Sequence, residues 1–307
     1  MATNTSLRNS QPSSLFETLQ LRLLPEGSAS ASRYFALLMI LVLAGISLFP
    51  LYWALITSFK HPSDVATIPP SFVLTRPVLK NYIDLMTGSG VANSPVLKWF
   101  WNSVFTGVAF TFGVVLLASL AGYSFARKRF PGRDKLFWLI ISTMLVPAWS
   151  TIIASYVLTL KLGMHDTYWA LILPGLASPF ALFLFRQFAV TLPEELFQAA
   201  RIDGAHELQL WWLITLPLSR PVLATLAIFT FTYHWNDFLW PLLVLNKPQI
   251  YTMPVGVSII MFQLKGTGPA YGIGMSAAIL MSVLPIIAFL LMQRQMIQGI
   301  TIGSLKG

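Results

Sequence analysis

Six apolar runs, set off by polar and charged stretches, dominate the pattern of this chain: about Tyr34–Ser58, Trp101–Phe125, Lys135–Leu160, Tyr168–Phe188, Pro221–Leu245 and Tyr271–Met292. A hydrocarbon core of about 30 Å takes roughly 20 residues to cross at 1.5 Å each, and every run is long enough. Backbone polar groups cannot be left bare in lipid, so each run predicts a helix. The expected fold is an all-α, polytopic membrane protein with six transmembrane helices. The polar stretches predict the connections. Lys60 to Lys98 carries Pro62, Pro69, Pro70, Pro77 and Pro95 and reads as the longest external loop, with at most short helical pieces; it is either a connector or a docking surface. Gly163–Thr167 is tight and predicts antiparallel neighbours on either side. Asn246–Ala270 reads as a second external excursion that ends in Gly266, Gly268 and Pro269.

Composition sharpens the class. Of 307 residues, 55% are hydrophobic and only 10% charged, and the mean hydropathy is +0.68, far too apolar for a soluble domain. The Lys and Arg positions set the orientation. Placing the N-terminus, the second and fourth loops and the C-terminus on one side collects thirteen of the 20 basic residues, the densest group being Arg127, Lys128, Arg129, Arg133 and Lys135. By the positive-inside rule that side, with both termini, is cytoplasmic. The net charge of +9 then reads as topology and contact with anionic membrane lipid, not nucleic acid. Residues 1–33 are a Ser-, Asn- and Gln-rich cytoplasmic tail in which Leu15, Phe16, Leu19, Leu23 and Leu24 could line an interfacial helix. They lack the core and cleavage site of a secretory signal, so the first span is expected to be retained. Residues 34–307 form a single transmembrane domain in this reading.

One polar segment interrupts the apolar pattern with its own order. Residues 191–220 include Gln198–Pro217, QAARIDGAHELQLWWLITLP. Pro193 suits the first turn of a short helix, with Glu194 and Glu195 at its positive end. Ala199 and Ala200 present minimal side chains to a partner groove, Gly204 permits a bend, and Asp203 is placed to cap the amides of the next helix. Leu208, Trp211 and Trp212 face the bilayer interface or the bundle, and Pro217 is expected to break the second helix before the fifth span.

This segment resembles the cytoplasmic EAA loop of ABC importer permeases: Glu-Ala-Ala, three residues, Gly, nine residues, Ile-x-Leu-Pro. Ala199, Ala200, Gly204, Ile214, Leu216 and Pro217 match in register, while the first position is Gln198. FPLYWALITSFK at Phe49–Lys60, AGYSFARKRFPG at Ala121–Gly132, WNDFLWPL at Trp235–Leu242 and QGITIGSLKG at Gln298–Gly307 extend the likeness to the smaller permease of maltose-type carbohydrate importers. The resemblance implies a bacterial inner-membrane subunit paired with a sister permease, a dimer of ATPase subunits below and an extracytoplasmic solute-binding protein above. It also implies that Gln198, Ala199, Ala200, Arg201, Asp203, Gly204, Ile214, Leu216 and Pro217 form the ATPase-coupling element between spans four and five. No G-x-x-x-x-G-K-[ST] phosphate loop occurs in the sequence, so ATP and Mg are expected on the partner ATPase and no cofactor in this chain. Gln198 keeps hydrogen bonding but loses charge assistance, which Glu194 or Glu195 could supply from nearby.

Ionisable groups inside a span are rare and usually functional. In the fifth run Thr230, Tyr233, His234 and Asp237 fall on one helical face, with Asn236 beside them, and pair hydroxyl-binding groups with aromatic surface. They are the candidate solute pathway; helix packing and interfacial anchoring are the alternative, and Trp235 and Asn236 fit that alternative better. His234 has no second His or Cys close in sequence, so no metal site is expected. The resemblance implies a sugar, a glycoside or a related polyol as the carried substrate. Glycerol phosphate or amino sugars on the same architecture stand as the alternative, as does an ATP-independent secondary transporter, although neither inverted repeats nor broken midplane helices are evident.

Overall fold

A computed structural model describes residues 30–65, 67–89, 94–264 and 271–304, with backbone alone at 30–33, 148 and 291–304. The proposed interfacial helix of the tail and the glycines of 265–270 lie outside the described residues. The chain divides into two compact units between Trp53 and Ala54. In the first, helix α1 (Ser30–Ser58) begins; its side chains from Leu38 to Leu48 are exposed almost without exception, with Leu41 at 69%, a surface suited to lipid.

All regular elements in the described part of the second unit are helices. After the end of α1 come α2 (Lys80–Thr87), α3 (Val96–Arg127), α4 (Arg133–Ser142), α5 (Ile152–Lys161), α6 (Tyr168–Ile172), α7 (Pro179–Val190), α8 (Glu194–Ile202), α9 (Arg220–Trp235), α10 (Leu239–Val244), α11 (Met253–Gln263) and α12 (Tyr271–Ser304). Three helices are singly long and apolar enough to cross a membrane, and three bent pairs raise the number to six if each pair makes one crossing.

The bends have local causes. Arg133–Leu145 and Trp149–Lys161 meet at 90° across Val146 and Pro147, both extended, because a residue before proline is driven out of the helical region. Tyr168–Gly175 and Pro179–Val190 meet at 48°. There Ser178 is extended, its hydroxyl accepts from Ala181 N at 3.2 Å, and Pro179 opens α7.

Two expectations need correction. The fifth apolar run is not one helix to Leu245: α9 stops at Trp235, where the Asn236 amide N–H donates back to Thr232 and His234, and Asp237 Oδ1 accepts from Trp240 N at 3.4 Å to start α10. Asn246–Ala270 is not merely an external excursion, since α11 is packed within the molecule with Met253, Val255 and Ile260 fully buried. The spans flanking Gly163–Thr167 are neighbours as expected, α4 packing on α7 through Phe137, Leu182 and Phe183, and the two helices next to the loop, α5 and α6, both pack against α10. Asp166 holds that corner, its Oδ1 accepting from Asn246 N at 2.9 Å and Lys247 N at 3.0 Å.

Among its described residues the Lys60–Lys98 connection contains only short helices before α3 begins at Val96, as expected. Buried Asn81 in α2 donates to the carbonyls of Ser58 and Lys60 at 2.9 and 2.8 Å, and α2 packs on α12. The long helix α3 is central. Its lower half meets α7 and α9 around Phe110, Val114, Tyr123, Phe185 and Leu226, and its upper end meets α11 and α12 around Trp99, Met253 and Ile260.

Gly256 of α11 lies directly under the indole of Trp99, and a methyl group there would overlap the ring. The ring cannot swing away cheaply, since its Nε1 donates to Pro248 O at 2.6 Å. Gly256→Ala should therefore destabilise the purified protein by about 1–3 kcal/mol through overpacking, lowering the thermal midpoint in detergent. Gly45→Ala, with nothing within 4 Å of the added methyl, should not lower it; an unchanged midpoint for Gly256→Ala would contradict the packing.

Candidate functional site

The polar segment after α7 is an ordered structure fastened to the end of α3. Pro193 is the N-cap of α8 in extended conformation, so the helix begins at Glu194, one residue later than the sequence suggests. Glu194 and Glu195 fill the first turn, as expected. Phe197 is the inward anchor, fully buried, while Glu195, Gln198, Ala199 and Ile202 are exposed, Ile202 at 86%. Spacing of three, four and seven makes these one face of the helix.

Arg127, the last residue of α3, is the fastening. Its side chain is only 7% exposed; it donates to Glu194 Oε2 at 2.7 Å and to the carbonyls of Ala189 and Leu192, and its guanidinium lies 4.5 Å from the Phe197 ring centre. One planar cation thus satisfies the C-terminal carbonyls of α7 and the first turn of α8 together. A second knot continues from it. Arg201 meets Glu194 at 3.3 Å and Glu207 at 3.5 Å, and Glu207 accepts from the Tyr123 hydroxyl at 2.7 Å. Burial pulls the Arg201 guanidinium down, but the carboxylates of Glu207 and Glu194 outweigh it and hold it above its ordinary value.

The bend follows at Gly204, whose φ is +84° with nothing within 4 Å of a would-be Cβ. Glycine is required there by backbone conformation and not by crowding. Two expectations for this turn are corrected. Asp203 closes α8 as its C-cap and does not cap the next helix. That cap is His206, whose Nδ1 accepts from Gln209 N at 3.4 Å while Gln209 Oε1 accepts from His206 N at 2.9 Å, the reciprocal pattern of a capping box. Nor does Pro217 break the helix. Leu210–Thr215 winds as a π-helix, Thr215 Oγ1 reaching back to Leu210 O, and the helix continues through Pro217 to Leu218. It stops at Ser219, where the direction turns by 81° into α9.

The structure divides the matched residues by role. Ala200, Ile214 and Leu216 face inward, half-buried against the core around Phe197, Leu210 and Trp211. Gln198, Ala199, Asp203, Gly204 and Pro217 are exposed, and Arg201 lies between in the ion-pair network. Trp211 is buried, whereas Leu208 and Trp212 are exposed at 63% and 62%. Sequence reasoning missed Arg127, Tyr123 and Glu207 as parts of this unit. A usable signal existed in the seven-residue spacing of Glu194 and Arg201, which places opposite charges on one helical face.

At the other end of α9 the solute-pathway strip separates. Tyr233, His234 and Asp237 line one cleft with Trp149, Ser155 and Trp240. Thr230 does not reach it, and Asn236 is exposed and bonded back to Thr232 O at 2.8 Å. Trp235 is structural, buried among Phe100 and Phe231 and donating to Met281 O. Among the described residues no cluster of His, Cys, Asp or Glu is placed to hold a metal ion.

Bent apolar helices around a central post, with a clamped polar elbow at one end and a polar-aromatic cleft at the other, define a polytopic membrane transport subunit. The chain belongs to the family of binding-protein-dependent transport system inner membrane components, whose sequence profile matches residues 114–301. It is 35% identical over 267 residues, 86% of this chain and 93% of the relative, to the arabinooligosaccharides transport system permease protein of Halalkalibacterium halodurans. It is 36% identical over 268 residues, 87% of this chain and 95% of the relative, to the sn-glycerol-3-phosphate transport system permease protein of Yersinia enterocolitica. Its fold matches a chain in the crystal structure of a bacterial ABC transporter involved in the import of the acidic polysaccharide alginate. That match has a TM-score of 0.70 at 20% identity and covers 87% of this chain and 98% of that one. The function of this chain is thus that of an ABC importer permease subunit.

Arg127→Gln should free α8 while leaving α3 intact. Losing charge-assisted bonds of roughly 1.5–3 kcal/mol each, less on the solvent side of Glu194, should speed amide hydrogen exchange across Glu194–Ile202 about tenfold or more. Arg127→Lys should rescue poorly, since a single ammonium cannot span the three acceptors. Unchanged exchange in Arg127→Gln would remove the clamp from the account.

Proposed function

We propose that this chain crosses the membrane six times with both termini in the cytoplasm and carries a sugar, glycoside or related polyol, driven by an ATPase dimer docked on the elbow at residues 191–220. ATP and Mg belong to that dimer. A sister permease completes the membrane pore, and an extracytoplasmic solute-binding protein delivers the solute. The observation that carries this reading is the exposed face of Gln198, Ala199 and Ile202, small or flat side chains held by a buried cation at the end of the central helix. A partner pushing on that face would push on α3.

The same contacts favour a cytoplasmic elbow. Arg127 and Lys128, the start of the densest basic cluster, touch Glu194 and Glu207, so the cluster and the elbow occupy one side of the membrane, the positive one. Gln198 stands where the family pattern has glutamate, and Glu194 is already shared by two arginines. Glu195 is the carboxylate left on the exposed face. Import of glycerol phosphate is a second reading, supported by the relative of that name at 36% identity.

The chain has no cysteine, so Ile202→Cys gives a unique thiol on the proposed docking face. In inverted vesicles carrying the whole complex it should cross-link to the ATPase subunit and resist a membrane-impermeant maleimide until the ATPase is stripped off. Labelling from the outer face of intact cells, or no cross-link to a nucleotide-binding subunit, would contradict the placement.

A further inference from the structure

The cleft beside Tyr233 carries information on the solute that overall similarity does not, because relatives for a neutral oligosaccharide and for a phosphate ester match this chain equally well. The cleft, of about 230 Å³, opens where two spans are broken. The kink after Pro147 contributes Trp149 and Ser155, and the gap between α9 and α10 contributes Asp237 and Trp240. Both breaks expose polar groups that a continuous helix would keep within its own hydrogen bonding.

Its chemistry is one-sided. Tyr233 and Trp149 are 70% and 69% exposed, leaving large aromatic surfaces uncovered, and Trp240 is held in place by its Nε1–H donating to Ala170 O at 2.8 Å. Asp237 uses Oδ1 to cap α10, and its carboxylate has no other hydrogen-bond partner among the described residues. No lysine or arginine is among the described residues that line the cleft. His234 is buried and stacked on Phe110 at 4.6 Å, and imidazole, unlike guanidinium, carries no obligatory charge.

Resting on the importer reading above, we propose that this subunit itself contacts the solute, and that the cleft is a subsite for one ring of an uncharged sugar. Asp237 accepts from ring hydroxyls, and Tyr233 and Trp149 cover the ring's C–H faces. An anionic solute meets the Asp237 carboxylate with no lysine or arginine among the described lining residues to offset it, so the cleft selects against phosphate esters and uronates.

Saturation-transfer NMR on the complete transporter in nanodiscs, without its binding protein, tests the subsite. The probes are an arabinotriose and sn-glycerol 3-phosphate, titrated at matched ionic strength. The expected result is binding of the triose at least about tenfold tighter than the phosphate. Trp149→Ala, a change at an exposed ring, should weaken the triose several-fold. Asp237→Asn, which keeps an acceptor for the Trp240 amide, should raise the ratio of phosphate to triose affinity about tenfold. Tighter phosphate binding, no binding of either probe, or variants that leave both affinities unmoved would overturn the subsite. ATP-dependent uptake by the same preparation separates the two claims: uptake with a wrong probe preference sinks the subsite alone, and failure of any ATPase to join the complex sinks the importer reading.

Discussion

The structure depends on how α3, a single helix of 32 residues, is gripped at its two ends. At 1.5 Å per residue it is about 48 Å long, enough to pass through the hydrocarbon and both interfaces. At one end Asn102 donates to Gln249 O and Tyr251 O, Trp99 donates to Pro248 O, and Ser103 Oγ accepts from Met253 N. At the other, Tyr123 and Arg127 hold Glu207 and Glu194. A buried backbone amide or carbonyl is cut off from water, so each irregular stretch packed into the protein must find protein partners. The side chains of α3 supply them for the loop before α11 and for the elbow after α7.

That arrangement explains why a pattern as sparse as two alanines, a glycine, an isoleucine and a Leu-Pro pair is enough to build an ordered, exposed elbow. Half of it, Ala200, Ile214 and Leu216, is inward packing that fixes the elbow on the core. The other half is an exposed surface of small groups. The charges that set its stiffness, Arg127, Glu194, Arg201 and Glu207, lie between the two layers and form one connected network. Glu194 is consumed by that network and is not free to stand in for the missing carboxylate at Gln198.

The helical class, the positions of the apolar runs and the bend at Gly204 were legible in the sequence because each rests on composition or on short-range backbone chemistry. What was not legible depends on contacts far apart in the chain. An apolar run through Leu245 gives no warning that Asn236 and Asp237 end one helix and start another. Residues 253–263 have the composition of a short buried helix, but what they pack on, the indole of Trp99 more than 150 residues earlier and Ile273 and Ala277 of α12, is set by the fold and not by their own pattern. At the elbow, Asp203 has the right chemistry for a cap, yet His206 has the right position. In the strip, helical spacing placed Tyr233, His234 and Asp237 together correctly, and it could not show that Thr230 falls outside the cleft.

The central claim is that α3 and α8 move as one body, so that force on the elbow is delivered to the outer loop. The absence of native cysteine allows clean spin labelling. With labels at Phe105→Cys on α3 and Leu196→Cys on α8, both outward-facing, pulsed electron-electron resonance on the full transporter gives the distance between them without nucleotide and with ATP trapped. The account predicts one narrow distance that stays the same in both states while distances to the sister permease change. A shift of several ångströms, or a second distance appearing with ATP, would contradict it.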